Sequence, residues 1–195
     1  MSAGEEVMRK LTYQEIFAGR PTLAELTDMR RYPIYTLCEN IRSLYNVGSI
    51  FRTSDAIRLE RLYLTGYTGY PPRKEIDKTA LGAVDTVNWS RFEDPLEAVA
   101  ELKHLKIPLI ALEHTSKSKP YFDYQFSFPF CLILGNEVEG VSQSLIKAAD
   151  AALEIPMFGL KQSLNVSVAY GIVMYHALWQ LNKTEHIDMQ KDGTL

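Results

Sequence analysis

The chain has 195 residues, 46% of them hydrophobic and 23% charged, with a formal net charge of −3. That length suits one domain with a substantial core, and the composition is that of a soluble globular protein. The mildly acidic balance excludes capture of a polyanion by bulk charge, so a nucleic-acid site would have to be a local basic patch.

In chain order, TLAELTDMRR carries Leu23, Leu26 and Met29 at helical spacing, and Pro33 is expected to break that helix. YTLCEN reads as a short strand. From Asn46, a plausible N-cap, Val47, Ile50, Phe51 and Ile57 recur at helical spacing. RLYLTG (61–66) reads as a strand and YTGYPPRKEID as a surface loop. A short helix is expected over 78–84 and a strand over 87–92. Asp94 then caps the helix PLEAVAELKHL, with Pro95 at its first position. IPLIALE (107–113) and CLILG (131–135) are buried strands by their unbroken apolar runs. The helix SQSLIKAA, the strand ALEIP (152–156) and a long helix over 163–181 complete the pattern. Strands alternating with helices argue an open, mainly parallel α/β sheet with helices on both faces. The expected organisation is a short, helical N-terminal extension (1–33), one domain (34–182) and a polar, frayed tail (183–195).

Cys38 and Cys131 sit in apolar runs far apart in sequence, as small buried hydrophobes of a reducing compartment. The four histidines show no ligand spacing, so no metal is expected. Residues 1–30 lack the apolar core of a signal peptide, and no uncharged apolar run reaches membrane-spanning length. The expected location is the cytoplasm, with no membrane partner.

Ligands of open α/β sheets bind outside the carboxyl ends of strands. Three polar, glycine-containing segments fall there: NIRSLYNVGSIFRT (40–53), GNEVEG (135–140) and MFGLKQSLN (157–165). Dinucleotide and phosphate-loop fingerprints are missing, as is the G-x-S-x-G elbow of a hydrolase nucleophile. Glu137 and Glu139, one residue apart in a loop, make no glycosidase pair.

The combination resembles a known family. N-x-R-x-x-x-N-x-G-x-x-x-R-T (Asn40 to Thr53), L-G-N-E-x-x-G (Leu134 to Gly140) and I-P-M-x-G-x-x-x-S-L-N-V-S-V-A (Ile155 to Ala169) are similar to the three ordered motifs of the SpoU family. These are S-adenosylmethionine-dependent RNA 2′-O-ribose methyltransferases of the SPOUT superfamily. KTALGA (78–83) and ALEHTSKS (111–118) resemble weaker signatures between them, so the likeness covers roughly residues 34–181.

The resemblance implies a C-terminal deep trefoil knot, a homodimer with a pocket built from both protomers, and tRNA or rRNA as partner. It implies cofactor contacts from Leu112, Gly135, Ile155, Met157 and Leu164, with Gly135 allowing close approach of the ligand. It also implies a catalytic set of Arg52, Asn40, Glu137, Ser163 and Asn165. Arg52 would hold RNA phosphate and act on the 2′-OH; its permanent charge favours the electrostatic role over that of base. Glu137 would orient Arg52 or the partner's loop, and Asn40 would position Arg52 or its turn. Ser163 and Asn165 would orient RNA or the methionine moiety. Arg42, Arg30, Arg31 and Lys117 are the expected RNA contacts, with Arg20, Arg73, Lys74 and Lys119 as further candidates. The alternative is a knotted RNA-binding dimer without catalytic activity.

Overall fold

Alternation along β1 (Tyr32–Glu39) sets up the whole molecule, because its odd and even side chains enter two separate cores. Ile34 and Cys38 join one apolar cluster, and Leu37 joins the other. The same division holds along β2 (Leu59–Thr65) and β6 (Phe130–Leu134), both buried on two faces as their apolar runs require. The computed structural model describes residues 8–185. β3 (Trp89–Phe92), β4 (Leu109–Leu112), β5 (Lys119–Pro120) and β7 (Ala151–Glu154) complete a seven-stranded sheet. Its order is β3-β2-β1-β6-β4-β7-β5, with every pairing parallel. β6 inserts between β1 and β4, and β7 between β4 and β5, so the C-terminal half interleaves instead of adding at an edge.

Helices cover both faces. α3 (Leu44–Ala56), α4 (Lys74–Ala80) and α7 (Val166–Glu185) close the first core; α5 (Pro95–His104) and α6 (Gln143–Ala148) close the second. Gly48 lets α3 and α4 touch: a Cβ there would stand 2.1 Å from Thr79 Oγ1 and 2.3 Å from the Ile76 carbonyl oxygen. Tyr170 of α7 is fully buried, and its hydroxyl bonds Ser54 of α3 (2.8 Å) and Thr36 of β1 (3.2 Å). Both cysteines are buried and free, and burial pushes both thiols up from their ordinary range.

The sheet and its alternation match the sequence reading, and several boundaries do not. Ser43, not Asn46, caps α3: its hydroxyl accepts the Asn46 N–H, which leaves Asn46 inside the first turn. The helix expected over 78–84 lies at Lys74–Ala80, beginning inside the expected surface loop. Leu81 (φ 50°) and Gly82 (φ 92°) end it in left-handed conformations. The extension holds two six-residue helices, α1 (Tyr13–Ala18) and α2 (Leu23–Asp28), each opened by a Thr-x-x-Glu capping box. Pro33 breaks no helix; it lies within β1, beside a register shift between Tyr32 and Tyr35. α7 begins three residues later than expected and takes in residues assigned to the tail. The rest of that tail, 186–195, lies outside the described residues.

Candidate active site

The three polar segments meet at the carboxyl rim of the sheet. After β6 the chain turns back at once: Asn136 and Gly140 exchange backbone hydrogen bonds of 3.0 and 2.9 Å. Gly135 is required by that turn, because a Cβ would lie 2.1 Å from the Gly140 carbonyl carbon and 2.2 Å from the Val141 nitrogen. The expected reason, approach of a ligand, is therefore not the one the geometry gives; the loop's own backbone fills the space.

Asn136, almost fully buried, fixes the turn. Its Oδ1 accepts from the N–H groups of Val138 (2.8 Å) and Glu139 (2.9 Å). Its Nδ2 donates to the Asn40 carbonyl (2.9 Å) and to the Tyr67 hydroxyl (2.7 Å). Asn40 itself ends β1 at φ 55°, a conformation that asparagine tolerates better than most residues. Its Oδ1 accepts the Tyr67 N–H at 3.0 Å, so Asn40 holds the turn after β2 and makes no contact with Arg52.

Glu137 carries the second link. Its carboxylate accepts from the Arg42 N–H (2.8 Å), the Ser43 N–H (3.0 Å) and Asn46 Nδ2 (2.8 Å). Desolvation works to raise its pKa, but these three donors, with Glu137's own backbone N–H, outweigh it and hold the carboxyl below its ordinary value. Asn46 Oδ1 in turn accepts from Asn165 Nδ2 at 3.0 Å. Asn165 Oδ1 then caps the start of α7, accepting from the Ser167 N–H (2.9 Å) and hydroxyl (2.7 Å). One continuous path, Glu137–Asn46–Asn165, thus ties the three motifs together.

Beside this path lies a cleft of about 420 Å³. All five expected cofactor residues line it: Leu112, Gly135, Ile155, Met157 and Leu164. Glu137, Ser163 and Asn165 line it too, while Asn40, Arg42 and Arg52 do not. No lysine or arginine borders the cleft, whereas Glu113, Glu139 and Glu154 join Glu137 there. Such walls suit a ligand with apolar surface, a cationic centre and no phosphate.

Arg52 stands apart. It is exposed on α3, six residues or about 9 Å along the axis from Asn46. Among the described residues it makes no hydrogen bond or ion pair, so the expected pairing with Glu137 is replaced by Glu137's hold on the 42–46 turn. Among the described residues, the exposed Arg42 is bonded through its backbone only, and Ser163, exposed at the cleft, has a hydroxyl without a hydrogen-bond partner.

Of the other expected RNA contacts, Lys117 is exposed on the loop after β4 and does not line the cleft. Arg31 donates to the carbonyls of Leu59 (3.2 Å) and Thr86 (2.7 Å), anchoring the extension. It and the exposed Arg30 lie at the amino rim, separated from the cleft by the roughly 23 Å length of β1.

Sequence reasoning missed three residues that shape the site. Asn136 lay within the quoted L-G-N-E motif but drew no role. Glu113, within ALEHTSKS, accepts from the N–H groups of Val141 and His114 (both 2.8 Å) and so pins both walls of the cleft. Tyr67 had no signal at all.

Comparison with known proteins follows the same outline. The SpoU rRNA Methylase family matches residues 33–175. The chain is 31% identical over 156 residues to the tRNA (guanosine(18)-2′-O)-methyltransferase of Aquifex aeolicus, covering 80% of this chain and 73% of that one. The crystal structure of the A. aeolicus TrmH/SpoU tRNA modifying enzyme superposes with a TM-score of 0.75 at 29% identity, covering 84% of each chain. The SpoU methyltransferase AviRb from Streptomyces viridochromogenes, in complex with the cofactor AdoMet, superposes with a TM-score of 0.73 at 25% identity. That match covers 79% of this chain and 63% of AviRb, so the chain spans less than two thirds of that protein.

Proposed function

The chain belongs to the SpoU rRNA methylase family, and we propose that it transfers a methyl group from S-adenosylmethionine to a ribose 2′-OH of RNA, tRNA before rRNA. The observation that carries this reading is the cleft. Its apolar walls, its carboxylates and its lack of lysine and arginine fit a cofactor with an adenine, a sulfonium and no phosphate. When bound, that cofactor supplies an activated methyl group for in-line displacement.

The chain's own residues do the rest. Leu112, Ile155, Met157 and Leu164 exclude water from the ligand's apolar parts. The Glu137–Asn46–Asn165 path holds the motifs in one geometry, so that little reorganisation is needed at the moment of reaction. The Ser163 hydroxyl is free to orient ribose or the ligand's amino-acid end. Arg52, unpaired and permanently charged, holds a phosphate of the substrate strand and stabilises negative charge growing on the ribose oxygen. Arg52 is exposed and does not line its own cleft, and on this reading it serves the pocket of a second copy. An exposed apolar stripe on α7 (Val168, Tyr175 and Trp179, spaced seven and four apart) supports that homodimer. The interleaved strand order supports the deep trefoil knot inferred from the family. The absence of any membrane-spanning helix among the described residues is compatible with action in the cytoplasm. The non-catalytic alternative has no observation in its favour.

The test is labelled methyl transfer into unmodified tRNA, comparing the protein with Arg52→Ala. Expected are alkali-resistant labelled nucleotides, loss of transfer in Arg52→Ala, and unchanged cofactor affinity by calorimetry. Label on a base, or full activity without Arg52, would overturn the assignment.

A further inference from the structure

Two tyrosines on the turn after β2 are exposed where the core would welcome them. Tyr67 is 59% and Tyr70 37% exposed. An exposed aromatic ring on a mobile loop would have little meaning, but Tyr67 is held at both ends. Its N–H is fixed by Asn40 and its hydroxyl by Asn136, a residue that lines the cleft. The turn carrying both rings is seated just as firmly. The Thr68 hydroxyl accepts the Ile41 N–H and donates to the Cys38 carbonyl, while Gly69 abuts Leu44, where a Cβ would stand 2.1 Å from Leu44 Cδ2. The Arg91 guanidinium lies 4.5 Å from the centre of the Tyr70 ring. Arg42 and Arg73 are exposed on either side of this turn, and neither side chain is engaged among the described residues. In an acidic protein this is a local basic and aromatic surface, and it begins where the cleft's acidic wall ends.

We propose that Tyr67 and Tyr70 form a stacking shelf for unpaired bases next to the ribose that is methylated, with Arg42 and Arg73 holding the adjoining phosphates. The shelf rests on the reading of the protein as an RNA ribose methyltransferase and specifies its substrate as a single-stranded or looped segment. A base within a duplex is already stacked on its neighbours and cannot lie on a protein ring; an unpaired one can. The rings are tolerant of base identity because every base has a π face, so the shelf positions a strand without reading its sequence. Tyr67 bonds directly to the loop that forms the cleft wall, so a base stacked there sets its neighbour's ribose against the cleft mouth.

The probe is a short oligouridylate containing one 2-aminopurine, which is unstacked in the free strand and whose fluorescence falls on stacking, titrated with the whole 195-residue chain. Tyr67→Ala and Tyr70→Ala are each expected to weaken binding about ten-fold and to lose the fluorescence change. Tyr67→Phe keeps the ring without the Asn136 bond and is expected to retain both. The same oligonucleotide annealed to its complement should bind more weakly. S-adenosylmethionine affinity by calorimetry should be unchanged in Tyr70→Ala, whose hydroxyl has no hydrogen-bond partner among the described residues. Wild-type quenching and affinity in Tyr70→Ala, or equal binding of duplex and single strand, would overturn the shelf. So would loss of oligonucleotide binding by Tyr67→Ala only together with cofactor binding, which would make Tyr67 a loop support. Failure of the methyltransferase reading is a separate result: no labelled methyl would enter tRNA with the wild-type protein.

Discussion

Replacing Glu137 by alanine removes the acceptor that joins the second motif to the first. Three donors at 2.8, 3.0 and 2.8 Å then lose their shared carboxylate. Hydrogen bonds to charged groups contribute roughly 1.5–3 kcal/mol each where water is excluded. Glu137 is exposed, so water can replace much of that, and a loss of about 1–2 kcal/mol overall is expected. For a domain of this size, that corresponds to a fall of about 2–8 °C in Tm. Asn46→Ala should overlap with Glu137→Ala in a double-mutant cycle, with a coupling of about 0.5–1.5 kcal/mol, because both break the same path. The pH dependence has a fixed sign. The folded-state pKa of Glu137 is depressed, so its contribution is complete above the ordinary carboxylate range and is lost as pH falls through the folded value. The Tm gap between wild type and Glu137→Ala should therefore be constant near neutrality and close in acid. Cofactor affinity, read by calorimetry, should fall alongside Tm because the 135–140 turn forms one wall of the cleft. An unchanged Tm and cofactor affinity, or a gap that persists into strong acid, would refute the reasoning.

Gly135→Ala forces a Cβ against the returning backbone of Gly140 and Val141, and should lower cofactor affinity at least ten-fold by calorimetry as the turn shifts. Tyr170→Phe leaves the buried Ser54 and Thr36 hydroxyls without their shared partner. It should cost about 1–2 kcal/mol in denaturant unfolding, with the oligomeric state unchanged. Trp179→Glu places a charge on the exposed stripe of α7 and should shift the protein toward monomer in sedimentation, with methyl transfer lost in parallel if Arg52 serves the second copy.

The sequence by itself determined the class of fold and the address of the site. Short apolar runs such as CLILG, bounded by turn formers and alternating with helical periodicities, read as strands buried on two faces of a parallel sheet. The three motifs announced the rim and four of the five expected cofactor residues, Gly135, Ile155, Met157 and Leu164; the fifth, Leu112, came from the weaker ALEHTSKS signature, and the structure gathers all five around one cleft. Capping was half legible: Asp94 caps α5 as read, whereas Asn46 looked like a cap because its side chain is of capping type. Only the tertiary structure decided that Ser43 takes that role and that Asn46 instead spans from Glu137 to Asn165, residues 91 and 119 positions away. The same holds for Gly135, whose constraint is a backbone five residues on, and for Asn136 and Tyr67, joined across 69 residues. One physical reason covers the long-range links of Asn46 and Asn136. Periodicity and propensity report what a residue does to its own turn or strand. A hydrogen bond between distant segments depends on where the sheet brings two loops, and no local pattern encodes that position.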